Sequence, residues 1–238
     1  MDAMITNAMR EFKSMIDLDK VIDINGRQYK KDGFNPVFEP TVDCLKIHTL
    51  FGIVDAVQSN LDQDSFDNVH IRVCSPTHVR LETDSFGPFL QRHCVIESDA
   101  YVTDFSFGRQ YKPEDFIISL LSQFMETEHR DALLKACSAI TKESVGTMND
   151  NGISQKMELK QGVALRREVE FKNPVSLQPF RTFAEISQPV SAFVFRVHDD
   201  DDVSCSLHEA DGAAWKLKAI TDIRDYFKNQ LPEITVIA

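Results

Sequence analysis

Apolar positions along the chain follow two periods, and each change of period marks an element. Leu50, Ile53, Val54, Val57 and Leu61 recur at helical spacing, with Thr49 placed to cap the segment. The next stretch, "NVHIRVCSPTHVRLE", alternates instead, with Val69, Ile71 and Val73 on one face and His70, Arg72 and Cys74 on the other. Ser75-Pro76 turns it into a second strand from His78 to Glu82, which predicts an antiparallel hairpin with one buried face. "HCVIES" supplies a further strand. Pro113 suits a first helical turn, and Glu114 and Asp115 complement its positive end. Phe116, Ile117, Leu120, Leu121, Phe124 and Met125 form the apolar stripe of that helix. A companion helix from Arg130 to Ile140 presents Leu133, Leu134, Cys137 and Ile140.

Beyond Ser144 the period returns to two. Asn151-Gly152 separates two strand candidates, "ALRREVEF" continues the extended run, and Pro174 and Pro179 interrupt it. Phe193–Val197 and Val203–Leu207 flank a loop from His198 to Asp202 and read as another hairpin. A last helix from Ala213 to Asn229 carries Trp215, Ala219, Ile220, Ile223, Tyr226 and Phe227 on its apolar side, and "ITVI" follows as an edge strand. Ahead of all this, Met4, Ala8, Met9, Phe12, Met15 and Ile16 describe a methionine-rich helix face, which packs on its own domain or between subunits. "VIDINGRQY" reads as a hairpin about Asn25-Gly26, and "GFNPVFEP" as loop. Strands and helices are segregated rather than alternating, so the expected fold class is α+β, an antiparallel sheet with packed amphipathic helices. Residues 1–32 form an N-terminal helix and hairpin arm, and residues 33–238 a single α+β domain.

Composition narrows the partners. Acidic residues outnumber basic ones by 37 to 26, a net charge of -11, so a broad phosphate-neutralising surface is not expected and generic nucleic-acid binding is disfavoured. No secretory segment opens the chain and no apolar run reaches membrane-spanning length, so no membrane association is expected. Cys44, Cys74, Cys94, Cys137 and Cys205 are odd in number and widely spaced without a CxxC pair, which reads as reduced thiols in a cytoplasmic protein.

Candidate chemistry is sparse. Asp199, Asp200, Asp201 and Asp202 are consecutive and so point in different directions; a solvated hairpin tip accounts for them more simply than a cation or a basic partner. His70, His78 and His93 lie on neighbouring strand candidates, which leaves open a metal site that no HExxH or zinc-finger spacing signals. No GxSxG elbow, P-loop or GxGxxG motif occurs, and no cofactor is assigned. Arg109, Arg181 and Arg196 are the ligand-binding candidates, because an arginine held against an aromatic wall can grip a small anion through two parallel hydrogen bonds. The competing reading of Arg181 is a structural pair with Glu185 or an aspartate.

"LQPFRTFAEISQPVSAFVFRV", Leu177 to Val197, resembles an element of an uncharacterised family of bacteriophage and prophage proteins known as YfdQ. Phe180, Arg181, Thr182, Phe183, Gln188, Pro189, Phe193, Phe195 and Arg196 carry the likeness, and "HTLFGIVDAV" resembles the family's first shared helix. The resemblance implies origin in a mobile viral genome and brings no catalytic residues with it. The function expected is that of a non-enzymatic, cytoplasmic, phage-type accessory protein, a homo-oligomer that binds a small anionic ligand or counters a host protein. An enzyme acting on a small phosphorylated metabolite or nucleotide, and a virion or assembly component, are the alternatives.

Overall fold

The computed structural model describes residues 21–30, 35–38, 41, 43–61, 68–142, 144–150, 154–161, 164–199 and 202–238. The methionine-rich segment, the Asn151-Gly152 turn, Asp200 and Asp201 lie outside them.

A five-stranded sheet organises the first half of the fold. Its centre is antiparallel: β5 (Val69–Ser75), β6 (His78–Thr83) and β7 (Cys94–Asp99). Its two edges, β4 (Leu45–Ile47) beside β7 and β14 (Thr235–Ile237) beside β5, pair in parallel. The expected antiparallel sheet is therefore mixed. Long connections cause this, since each edge strand reaches its neighbour through a crossover and not through a tight hairpin. Helices α1 (Leu50–Gln58) and α4 (Ala214–Gln230) cover one face. Leu50, Ile53, Ile71, Leu81, Ala219, Ile223 and Phe227 meet there in one core. The other face is polar and only partly in water: Lys46 and Arg72 are exposed, whereas His70 and Glu82 are buried there, so the one-sided burial expected from the alternation in β5 holds from Ile71 onward and not at His70.

The second half is built on β11 (Val175–Leu177), β12 (Ser191–Asp199) and β13 (Val203–Glu209). Alternation is strict in β12, where Phe193, Phe195 and Val197 are buried against α2 (Pro113–Gln123) and α3 (Glu128–Lys142). The stripe on α2 is narrower than its sequence suggests. Phe116, Leu120 and Phe124 are buried, whereas Leu121 and Met125 are exposed, as is Leu61 beyond α1. β11 covers only the start of β12, and two side-chain amides continue its ladder. Asn173 accepts from the Phe195 amide and donates to its carbonyl, and Gln155 does the same at Val197. An edge that would otherwise offer bare backbone to another strand is thereby satisfied. Gln155 comes from the meander β8 (Ser144–Asp150), β9 (Ser154–Gln161) and β10 (Ala164–Lys172).

The arm pairs as expected about Asn25 and Gly26, both at positive φ, joining β1 (Val21–Ile24) to β2 (Arg27–Lys30). Asn35–Pro36 forms a short strand β3 on β2, where loop was expected; Pro36 is tolerated because it sits at an edge. Tyr29 and Phe38 both meet the ring of Phe89 edge-on, which docks the arm on the turn between Phe86 and Gln91.

The two cores draw on interleaved stretches of chain, and the segment from Gln178 to Val190 passes between them. Gln188 holds that segment in shape. Its buried side-chain oxygen accepts from the Arg181 and Thr182 amides, and its nitrogen donates to the Thr182 and Phe183 carbonyls. The segment delivers Phe183 and Ile186 to the first core and Arg181 to the seam. There the Arg181 guanidinium lies 3.8 Å from the Trp215 ring centre, with Phe193 and Phe107 at 5.6 and 6.0 Å. It donates to Glu209 at 2.6 Å and to Ser191, and Asp211 stands 4.0 Å away. Methionine at position 181 would leave Glu209 and Asp211 without their counter-charge. An Arg181→Met variant is expected to lose about 2 to 3 kcal/mol in urea unfolding followed by Trp215 fluorescence. A loss no greater than that of exposed Arg109→Met would count against this role.

Candidate functional site

A crevice opens where two neighbouring parallel strands end. β4 runs into His48 and Thr49 and then directly into α1, while β7 runs into Ala100 and Tyr101. With Phe51 on one side and Phe183, Ala184 and Glu185 on the other, these residues enclose a cavity of about 260 Å³. Ligands of sheets with parallel strands settle beyond the carboxyl ends of those strands, so the position itself directs attention here.

Local chemistry fixes each wall. Thr49 is extended and accepts the Gly52 amide, capping α1, and the buried Ser98 hydroxyl donates to the Thr49 carbonyl. A Cβ at Gly52 would lie 2.9 Å from both Ile47 Cδ1 and Thr49 Oγ1, so a larger residue there would have to displace the Ile47 side-chain end and the capping hydroxyl. Glu185 Oε1 accepts from the Leu50 and Phe51 amides at 2.6 and 3.3 Å. This carboxylate occupies the place at a helix N-terminus where a phosphate would otherwise bind. His48 Nδ1 donates to the Asp99 carbonyl at 2.9 Å, and its ring stacks on Tyr101 at 4.2 Å between centroids. Tyr101 is 79% exposed and Phe51 51%, so two aromatic faces stand in solvent at the mouth. Behind Glu185, burial first, and then the charges of Glu185 and Asp55, push the Tyr226 phenol up.

The three arginines selected from the sequence do not share a setting. Arg181 is the buried seam residue, paired with Glu209 and not with Glu185. Arg109 is exposed, its guanidinium 5.5 Å from the Tyr111 ring. Arg196 lies on the polar face of β12 opposite Ser206. Beside it Ser206 Oγ stands 2.8 Å from His198 Nε2 and 3.0 Å from His208 Nε2, a serine–histidine contact that the sequence spacing does not signal. Its hydroxyl has no solvent exposure, which denies it a substrate.

The histidines are also dispersed. His70 contacts Asp84 at 2.9 Å and Glu82 at 3.7 Å, whereas His78, at the opposite end of β6, contacts Asp99 at 2.6 Å. The His93 ring nitrogen Nε2 is buried with no hydrogen-bond partner among the described residues. Among the described residues one group of potential metal ligands converges, and it is a different one: Cys44, Cys94 and Glu97, with ligand atoms within 4.8 Å of one another. Asp202, the described end of the acidic tip, lines a second cleft of about 270 Å³ with Lys112, Pro113, Glu114 and Val203. Among the described residues no helix is long and apolar enough to cross a membrane.

No family model matches the chain, and neither a curated protein nor a solved structure shows significant similarity to it.

Proposed function

We propose that this chain is a non-enzymatic, cytoplasmic accessory protein of phage type that binds a small ligand in the crevice at the ends of β4 and β7. One observation carries the reading: Glu185 fills the α1 N-terminus. The crevice thus offers a lodged carboxylate and exposed aromatic faces, and no open anion seat. That arrangement favours a planar aromatic ligand, neutral or cationic, over the phosphorylated metabolite that the arginines suggested. Glu185 and His48 Nδ1 already serve as backbone partners, which suits fixed walls better than proton transfer.

The phage-type assignment rests on the resemblance of Leu177–Val197, and the fold supplies a physical reason for that pattern. Arg181 binds the seam, and Gln188 closes the segment around it. Homo-oligomeric assembly belongs to the same proposal. Its support is the exposed pair Ile118 and Leu121, three residues apart on α2, with Met125 exposed just past the end of that helix.

Ligand-observed NMR with single-ring aromatic fragments tests the crevice. Phenolic or benzylamine-like fragments should bind the wild type, and Phe51→Ala or Tyr101→Ala should weaken them about tenfold, roughly 1.4 kcal/mol. Both side chains are exposed, so neither change should unfold the chain. Binding unaffected by both substitutions, or none to begin with, would remove the site. For assembly, light scattering at micromolar concentration should give a dimer or larger; a monomer would contradict it.

A further inference from the structure

On the solvent face of the five-stranded sheet, Cys44 and Cys94 bring their sulfurs to 2.7 Å. A bulge makes this possible. Leu81 pairs with Ile96 and Glu82 with Cys94, so Val95 is an extra residue in β7. Val95 and Ile96 both enter the core, and Cys94 is turned outward to the face that Glu97 shares. Cys44 precedes β4, whose Leu45 lies opposite Ile96. Adjacent strands at this spacing place the two backbones within the range a disulfide spans, roughly 4.4–6.8 Å between Cα atoms.

The same three groups could hold a metal, and geometry separates the two uses. Two thiolates on a tetrahedral zinc, each about 2.3 Å from the ion, stand about 3.8 Å apart, whereas bonded sulfurs stand about 2.0 Å apart. The observed separation is nearer the bond. The third ligand is also engaged, because Glu97 holds Lys46 at 3.0 Å and Arg80 at 3.4 Å. We propose that Cys44 and Cys94 form a thiol–disulfide exchange site, which small-molecule disulfides oxidise to a reversible link between β4 and β7.

The roles of the two sulfurs differ. Burial, and then the neighbouring Cys44 thiol, push the Cys94 thiol up to about 12, which makes it a poor first attacker. Cys44 therefore attacks first. Its thiolate takes one sulfur of the incoming disulfide, giving a mixed disulfide and releasing one thiolate. Cys94 then loses its proton, attacks the Cys44 sulfur and expels the second thiolate, so two protein thiols and one external disulfide become one protein disulfide and two external thiols. Lys46 and Arg80 flank the pair and favour an anionic disulfide, of which oxidised glutathione is one. Cys74 is exposed and serves as the internal comparison, able to gain an adduct but not this link. The bond would fasten together the two strands whose ends form the crevice walls, although the site stands whether or not the crevice holds a ligand.

The test is peptide mapping of the full chain under non-reducing conditions after treatment with oxidised glutathione and alkylation of the remaining thiols. A peptide containing Cys44 joined to one containing Cys94 is expected, with dithiothreitol restoring both thiols. Cys74→Ser should keep the link, and Cys44→Ser should abolish it and leave Cys94 alkylatable or glutathionylated. Treatment that modifies Cys74 yet leaves Cys44 and Cys94 both alkylated would overturn the proposal. So would separate glutathione adducts on the two with no cross-link. The wild-type map decides the matter even if a variant fails to fold.

Discussion

Arg181 carries a charge into the seam between two hydrophobic cores, and a charge buried there must be met from both sides to be tolerated. Trp215, from the periphery of the first core, presents its ring face to the guanidinium, and Phe193, inside the second, stands on another side. Glu209 at the end of β13 and Ser191 at the start of β12 take its hydrogen bonds. Desolvation is the largest influence on the group and works to pull its pKa down, against the opposing charges of Glu209 and Asp211. The partners come from β12, β13 and the start of α4, elements that contribute to both cores, so meeting this one charge ties the two halves together.

That constraint extends to the crevice. Arg181 and Glu185 belong to one segment, stapled by Gln188, so the residue that locks the seam also sets the position of the carboxylate at the α1 N-terminus. On the far side of the crevice the walls are the ends of β4 and β7, and the Cys44–Cys94 contact lies where the same two strands begin, with Cys44 just before β4 and Cys94 first in β7. The packing of the seam, the geometry of the crevice and the Cys44–Cys94 contact are thus linked through short stretches of backbone.

How much of this was legible depended on range. Period-two and helical patterns are local, so β5–β6, β12–β13, α1 and α2 lie close to where the sequence puts them. The core-facing side of β5 and the structural pairing of Arg181 were legible too, the second only as one of two readings. What escaped required non-local contacts. Parallel pairing at both sheet edges depends on crossovers. The exposure of Leu121 and Met125 depends on where α3 and the Gln178–Phe180 backbone stop. Cys94 meets Cys44 only because Val95 bulges, and no alternation pattern reveals one extra residue. Glu185, one of the two kinds of partner that the sequence offers Arg181, instead caps a helix that starts 135 residues earlier.

Native-state hydrogen exchange on Arg181→Met tests most directly whether the seam governs the crevice. Loss of protection should reach the Leu50 and Phe51 amides, which depend on Glu185, as well as the Ser191 and Glu209 region. If exchange quickens only around Ser191, Glu209 and Asp211 while Leu50 and Phe51 stay as protected as in the wild type, the seam and the crevice are independent and the account fails.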